Sequence, residues 1–283
     1  MTSSSVRRSL PSPAELPYSD DKPVDNEDQN LLPNLLLLLL NTLWAKRMDW
    51  FFGVDMAVYH EAGENPKVPV VPDAFLSLGV ARKKDGESRL SYSVWNDGAV
   101  PMMTLEMVSH KPGGEYGEKL ALYQKMGVLY YVVYNPKYWR RDKHEPFEVY
   151  RLESGEYRLQ GSEPYWMPEV GLGIGRYQGE VGGLPQEVLT WYDEQDKRHF
   201  SAEEQAQLQA ERERLRAMRA EAVAEQERLR AEQERLKAEQ ERLRAEQERS
   251  RRKQLEAVLR SQGFDLDSLP EGRGERVGGW RDF

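Results

Sequence analysis

Met102-Met-Thr-Leu-Glu106-Met-Val-Ser109, then Glu115-Tyr-Gly-Glu-Lys119-Leu-Ala-Leu-Tyr123-Gln-Lys-Met126, then Gly127-Val128-Leu-Tyr-Tyr131-Val-Val-Tyr134: these three consecutive pieces decide the fold. The first and third are short apolar runs with β-branched and aromatic residues, the signature of buried strands. The middle piece puts Tyr116, Leu120, Tyr123 and Met126 on one helical face, and Gly127 stops it. A strand, a helix and a strand in that order make a parallel crossover, which places the chain in the α/β class.

Working outward, residues 51–59 and 68–76 read as two further strands, and residues 148–152 and 157–159 as a hairpin turning at Ser154-Gly155. A helix is expected through residues 31–46, capped by Asp25 or Asn26, with Pro33 near its start. The run Leu31 to Trp44 is interrupted by Pro33, Asn34, Asn41 and Thr42 and falls short of the roughly 20 apolar residues of a membrane span. It reads as a buried helix. Residues 1–20 read as a disordered tail, because Arg7 and Arg8 are followed by Ser and Pro and not by the apolar core of a secretory signal.

The chain contains no cysteine, which excludes a disulfide framework, a thiolate zinc site and a cysteine nucleophile, and fits a cytoplasmic location. Residues 1–200 carry 22 Lys and Arg against 29 Asp and Glu, and residues 201–283 carry 18 against 19. Neither part has the basic surplus of a protein that holds nucleic acid by charge alone, so a nucleic-acid role has to rest on a local patch or a metal.

Composition changes near residues 197–201, after which almost every residue to 262 is Ala, Glu, Gln, Leu, Arg or Lys. Ser201-Ala-Glu-Glu204 has the spacing of a capping box, so a long helix should start there. Arg228-Leu-Arg-Ala-Glu-Gln-Glu234 recurs, with small changes, at residues 235–241 and 242–248, a repeat of one heptad. Leu208, Leu215, Ala222, Leu229, Leu236 and Leu243 hold the spacing of seven that a coiled coil needs at position d. The a positions, Arg212, Arg219, Gln226, Gln233, Gln240 and Gln247, are polar and narrow the seam. A homo-oligomer or a protein partner held through residues 201–262 and a solvated helix laced by acid–base pairs both fit this pattern. The expected organisation is a tail at 1–20, a globular domain at 21–198, a heptad helix at 199–262 and a flexible tail at 263–283.

Two acids interrupt apolar strands. Asp73 follows Val71-Pro72, and Glu106 sits inside Leu105-Glu-Met-Val-Ser109. Burying either costs several kcal/mol unless a cation or donor compensates. Two acids on neighbouring strands form the usual oxygen site for a hard divalent cation such as magnesium, and Lys119 on the following helix could supply a compensating charge. The same residues also allow a plainer assignment, with Asp73 in a turn, Glu106 facing solvent and Lys119 on a helix surface.

The run Pro72-Asp73, Leu105-Glu106-Met107-Val108-Ser109, Glu115 to Tyr123, Gly127 to Tyr131 and Asn135-Pro136 resembles the Uma-type endonuclease family, a branch of the PD-(D/E)xK restriction-endonuclease-like superfamily. The resemblance spans roughly residues 25–195 and implies a central mixed sheet flanked by helices, here followed by the long C-terminal helix. It implies a metal-dependent DNA endonuclease in which Asp73, Glu106 and the backbone carbonyl of Met107 bind Mg2+, with Mn2+ as a substitute, and DNA is the substrate. The superfamily lysine would stand at Val108, and the resemblance moves its role to Lys119, with Lys111 as the rival. Glu27 stands where the superfamily places an auxiliary acid. His110-Lys111-Pro112 and Glu115 depart from the residues common at these positions.

Other features carry less. Gly171-Leu-Gly-Ile-Gly175 lacks the strand-to-helix setting of a phosphate loop and is expected to be a turn. The four histidines never fall at i, i+4. Trp139-Arg140-Arg141-Asp-Lys143, and more weakly Lys83-Lys84, could grip a phosphate backbone or simply be solvated loops. Two other function classes fit part of the pattern: a noncatalytic interaction module, and a two-carboxylate glycosidase that would require neither lysine nor metal.

Overall fold

The computed structural model of the chain describes residues 10–11, 15–16, 27–61, 66–84, 86–181 and 183–263. Asp25 and Asn26, and most of both proposed tails, lie outside the described residues. The element order is α1 (Glu27–Leu43), β1 (Trp50–Val54), β2 (Val58–Tyr59), β3 (Ala74–Leu78), β4 (Tyr92–Ser93), α2 (Val94–Asp97), β5 (Met103–Met107), α3 (Glu118–Met126), β6 (Tyr130–Tyr134), α4 (Trp139–Asp142), β7 (Phe147–Glu153), β8 (Glu156–Leu159), β9 (Tyr165–Met167), β10 (Leu172–Val181), β11 (Leu184–Tyr192) and α5 (Ala202–Ser261). The chain divides into two compact units, residues 1–207 and 208–283.

The first unit is built on a six-stranded mixed sheet in the order β1-β3-β5-β6-β7-β8. Its one parallel pair is β5 with β6, joined through α3 as the strand–helix–strand reading requires. The other neighbours are antiparallel, and β7 and β8 form the hairpin expected at Ser154-Gly155, both with positive φ. The strand expected over 68–76 is displaced to 74–78; Val70 makes only an isolated bridge to Val58. Pro72, which has no N–H to donate, keeps the ladder from starting earlier.

Alternation along the strands sorts the core into two layers. Trp50, Phe52, Leu76, Leu105 and Val132 face the α1 side, where they bury Leu32, Leu36 and Leu40 together with Trp191 of β11. Trp191 also donates its indole N–H to the Leu36 carbonyl at 3.0 Å, tying α1 to the smaller β9-β10-β11 sheet. Phe75, Tyr131 and Val133 face the other way and pack on Tyr123 of α3.

The glycine run at 171–175 is not a turn throughout. Gly171 has φ 74°, but Gly173 and Gly175 lie inside β10. A Cβ at Gly175 would fall 3.0 Å from Pro164, so the small residues permit close strand approach. Among the described residues no helix is long and apolar enough to cross a membrane.

The helix expected from Ser201 is present as α5, and the capping box forms: Glu204 N–H donates to Ser201 Oγ at 3.1 Å and Ser201 N–H to Glu204 Oε2 at 2.8 Å. No residue of α5 is buried.

Candidate active site

The antiparallel β3–β5 ladder pairs Ala74 with Leu105. Those two residues point to the α1 side, so the next pair along the same register, Asp73 and Glu106, points to the α3 side. A one-residue shift would send the acids to opposite faces; the register keeps them together. Asp73 Oδ2 accepts the Met107 N–H at 2.6 Å, and the Asp73 carbonyl accepts the Asp55 N–H from the end of β1 at 3.1 Å. The Met107 carbonyl accepts Nε2 of Gln29, on α1, at 3.3 Å. Backbone and side chains of four elements therefore converge where β3 begins and β5 ends.

Glu106 is 1% exposed and both of its oxygens are held. Oε2 accepts Lys119 Nζ at 2.7 Å and Oε1 accepts the Tyr123 hydroxyl at 2.7 Å. Lys119 and Tyr123 stand four residues apart on α3, hence on one face, and that face lies over β5. The loop leading into α3 is fixed by buried Glu115, whose two oxygens accept the Gly113 N–H at 3.0 and 2.9 Å, while Tyr131 donates to its carbonyl at 2.7 Å.

Burial pushes the Asp73 carboxyl well above the usual range, and the charge of Glu106 pushes it further; the Met107 N–H and Lys119 oppose this. Burial likewise raises Glu106, outweighing Lys119 and the Tyr123 hydroxyl. Burial disfavours the Lys119 ammonium, but the carboxylates of Glu106, Asp73 and Glu115 outweigh it and leave its pKa above the ordinary value. The Tyr123 phenol is raised well above its usual value by burial and then by Glu106, so it remains a neutral donor. One ammonium thus faces two desolvated carboxylates.

That surplus of negative charge, on an all-oxygen donor set, fits a hard cation. Magnesium takes one or two carboxylates and keeps several waters, so Asp73, Glu106 and the Met107 carbonyl suit it better than a caged metal. Among the described residues no group of three or more His, Asp or Glu side chains gathers in the manner of such a cage. Asp73 as a whole residue is partly exposed, whereas its carboxyl group is desolvated.

Of the rival residues, Lys111 is exposed and presents only its backbone carbonyl locally, to the Ser109 hydroxyl at 2.8 Å. Glu27 is exposed and adds its charge to Lys137, which pairs with Asp28 at 2.8 Å. The α1 residue that reaches the site is Gln29. Arg141 of α4 is committed to Asp142 at 2.6 Å and to the His110 carbonyl at 2.7 Å, and Arg140 lies over the Trp139 ring. Tyr123 and Gln29 were not singled out from sequence as site residues. The i, i+4 spacing of Lys119 and Tyr123 is the signal for the first; nothing local signals the second.

The family model named Uma2, described as "Putative restriction endonuclease", matches residues 20–177, more than half of the chain. The chain belongs to the Uma2 family. Asp73, Glu106, Lys119 and Tyr123 all fall within the matched segment, whereas α5 lies beyond it. A crystal structure described as a "putative nuclease belonging to DUF820" from Anabaena variabilis is similar at 14% identity and a TM-score of 0.37, covering 53% of this chain and 79% of that one. The comparison with curated proteins gave no match.

Proposed function

We propose that this Uma2 member is a magnesium-dependent endonuclease that hydrolyses DNA phosphodiesters. The reading is carried by the cross-strand pair Asp73 and Glu106 with Lys119 Nζ 2.7 Å from Glu106. Asp73, Glu106 and the Met107 carbonyl would hold the ion. A bound Mg2+ would polarise the scissile phosphate and lower the pKa of an attacking water. Lys119, kept charged by its carboxylate neighbours, would stabilise negative charge that develops on the phosphate and would not serve as a general base in this state. Tyr123 fixes the direction of the Glu106 carboxylate. Gln29 orients the peptide whose carbonyl completes the donor set, which gives α1 a positioning role.

The test is calorimetric titration of Mg2+ beside cleavage of supercoiled and single-stranded DNA, with the intact protein and with Asp73→Asn and Glu106→Gln. Metal binding and cleavage should both vanish in the two variants. An intact protein that binds no Mg2+ or Mn2+ and cleaves nothing at any protein concentration would refute the proposal and favour an interaction module. Cleavage of a glycan without metal would favour the two-carboxylate glycosidase.

A further inference from the structure

The leucine seam of α5 is exposed, Leu229 at 52% and Leu236 at 53%, and on its own the half-polar stripe does not distinguish a solvated helix from a paired one. The residues flanking the seam do. With the leucines at d, the g positions are acidic at 211, 225, 232, 239 and 246, and the e positions five residues later are basic at 216, 230, 237, 244 and 251.

We propose that α5 pairs with α5 of a second copy of this chain as a parallel, in-register, two-stranded coiled coil. In that arrangement each g side chain meets the e side chain five residues later on the other helix. The crossings are then Glu211 with Arg216, Glu225 with Arg230, Glu232 with Lys237, Glu239 with Arg244 and Glu246 with Arg251, all of opposite sign. Between the first two of these lies the crossing of Met218 with Val223, both apolar and more than half exposed. It falls in the heptad where d is Ala222, so it restores apolar contact where the seam is thinnest.

An antiparallel pair brings g against g and e against e, which sets acid on acid and base on base along the whole repeat. A solitary helix makes no use of a separation of five, because intrahelical pairs form at three or four. Of these charged residues Glu225 alone is in a salt bridge within the helix, to Arg228 at 3.5 Å. Glutamine at four of the six a positions, with Arg212 and Arg219 at the other two, weakens the seam but defines it: in register each Gln faces its own copy, as polar a residues do when they fix alignment.

The chain lacks cysteine, so Gln240→Cys gives the full-length protein a single thiol at an a position. Parallel in-register helices bring two such residues within the roughly 6 Å Cα separation of a disulfide. Wild-type protein should sediment as a dimer at micromolar concentration, and Gln240→Cys should oxidise to a cross-linked dimer at least about tenfold faster than the outward-facing control Glu241→Cys. Reversing three e charges together, Arg230→Glu, Lys237→Glu and Arg244→Glu, should weaken dimerisation by about tenfold or more with helicity by circular dichroism unchanged. Mixing with a copy carrying Glu225→Lys, Glu232→Lys and Glu239→Lys should restore pairing. A monomer throughout the micromolar range, equal cross-linking at 240 and 241, or indifference to charge reversal would each overturn the proposal.

Discussion

Replacing Lys119 with methionine keeps an unbranched chain on α3 and removes the ammonium from Glu106. The Glu106 side chain is 2% exposed and that of Lys119 27%. Breaking a buried ion pair costs about 3–5 kcal/mol, and the partly wet lysine end points to the lower figure, about 3 kcal/mol. With a urea m-value of about 2 kcal/mol/M, the midpoint at pH 8 should fall by about 1.5 M. The pH dependence carries the sign. The folded-state pKa of Glu106 is raised, so the folded protein takes up this proton before the unfolded chain does. The penalty is therefore full above the folded pKa and shrinks as pH falls toward the ordinary glutamate value, because a protonated Glu106 no longer needs the ammonium. The same substitution in a Glu106→Gln background should cost far less. An identical midpoint shift at pH 8 and pH 5, or an undiminished cost beside Glu106→Gln, would refute the assignment of Lys119 as the charge that compensates Glu106.

Asp73→Asn should stabilise the metal-free protein by about 1–2 kcal/mol at pH 7, since it removes a desolvated carboxylate that repels Glu106. The gain should shrink as pH falls and disappear by about pH 3, where Asp73 is protonated in folded and unfolded states alike, and calorimetric scans from about pH 3 to 8 will show it. Tyr123→Phe should cost about 1.5–3 kcal/mol in urea denaturation, because it strips one donor from a buried carboxylate without changing the ring. Gly53→Ala should cost about 1–3 kcal/mol, since its Cβ would lie 2.2 Å from Cε1 of fully buried Phe75; an unchanged midpoint would show that the ring can yield.

The crossover through residues 103–134 was legible because its strands are continuously apolar and Gly127 punctuates the helix. The meeting of Asp73 and Glu106 was legible for a related reason: each is an acid where the pattern calls for an apolar residue. The start of β3 was misplaced because Val68 to Val71 has strand composition, while the ladder depends on a partner strand and on the missing N–H of Pro72. The β9-β10-β11 sheet was missed because Gly173 and Gly175 read as punctuation, whereas they mark close approach to neighbouring strands. Gln29 could not be found at all. Its contact with the Met107 carbonyl spans 78 residues of sequence and is set by the packing of α1, to which nothing in its own surroundings in the chain refers.

The near-identity of the heptads at 228–234, 235–241 and 242–248 has a consequence for alignment. A slip of one heptad between two such helices trades each repeat for an equivalent one, so most side-chain pairings survive and the repeats themselves are nearly blind to the shift. The information that forbids it sits in the irregular heptad upstream. After such a slip Met218 would face Arg230 and not Val223, and Ala222 would lose its apolar flank. In the proposed pair, a tract that gains or loses whole heptads would thus keep its chemistry, while one short segment, Met218 to Val223, would act as the vernier mark that sets the two copies level.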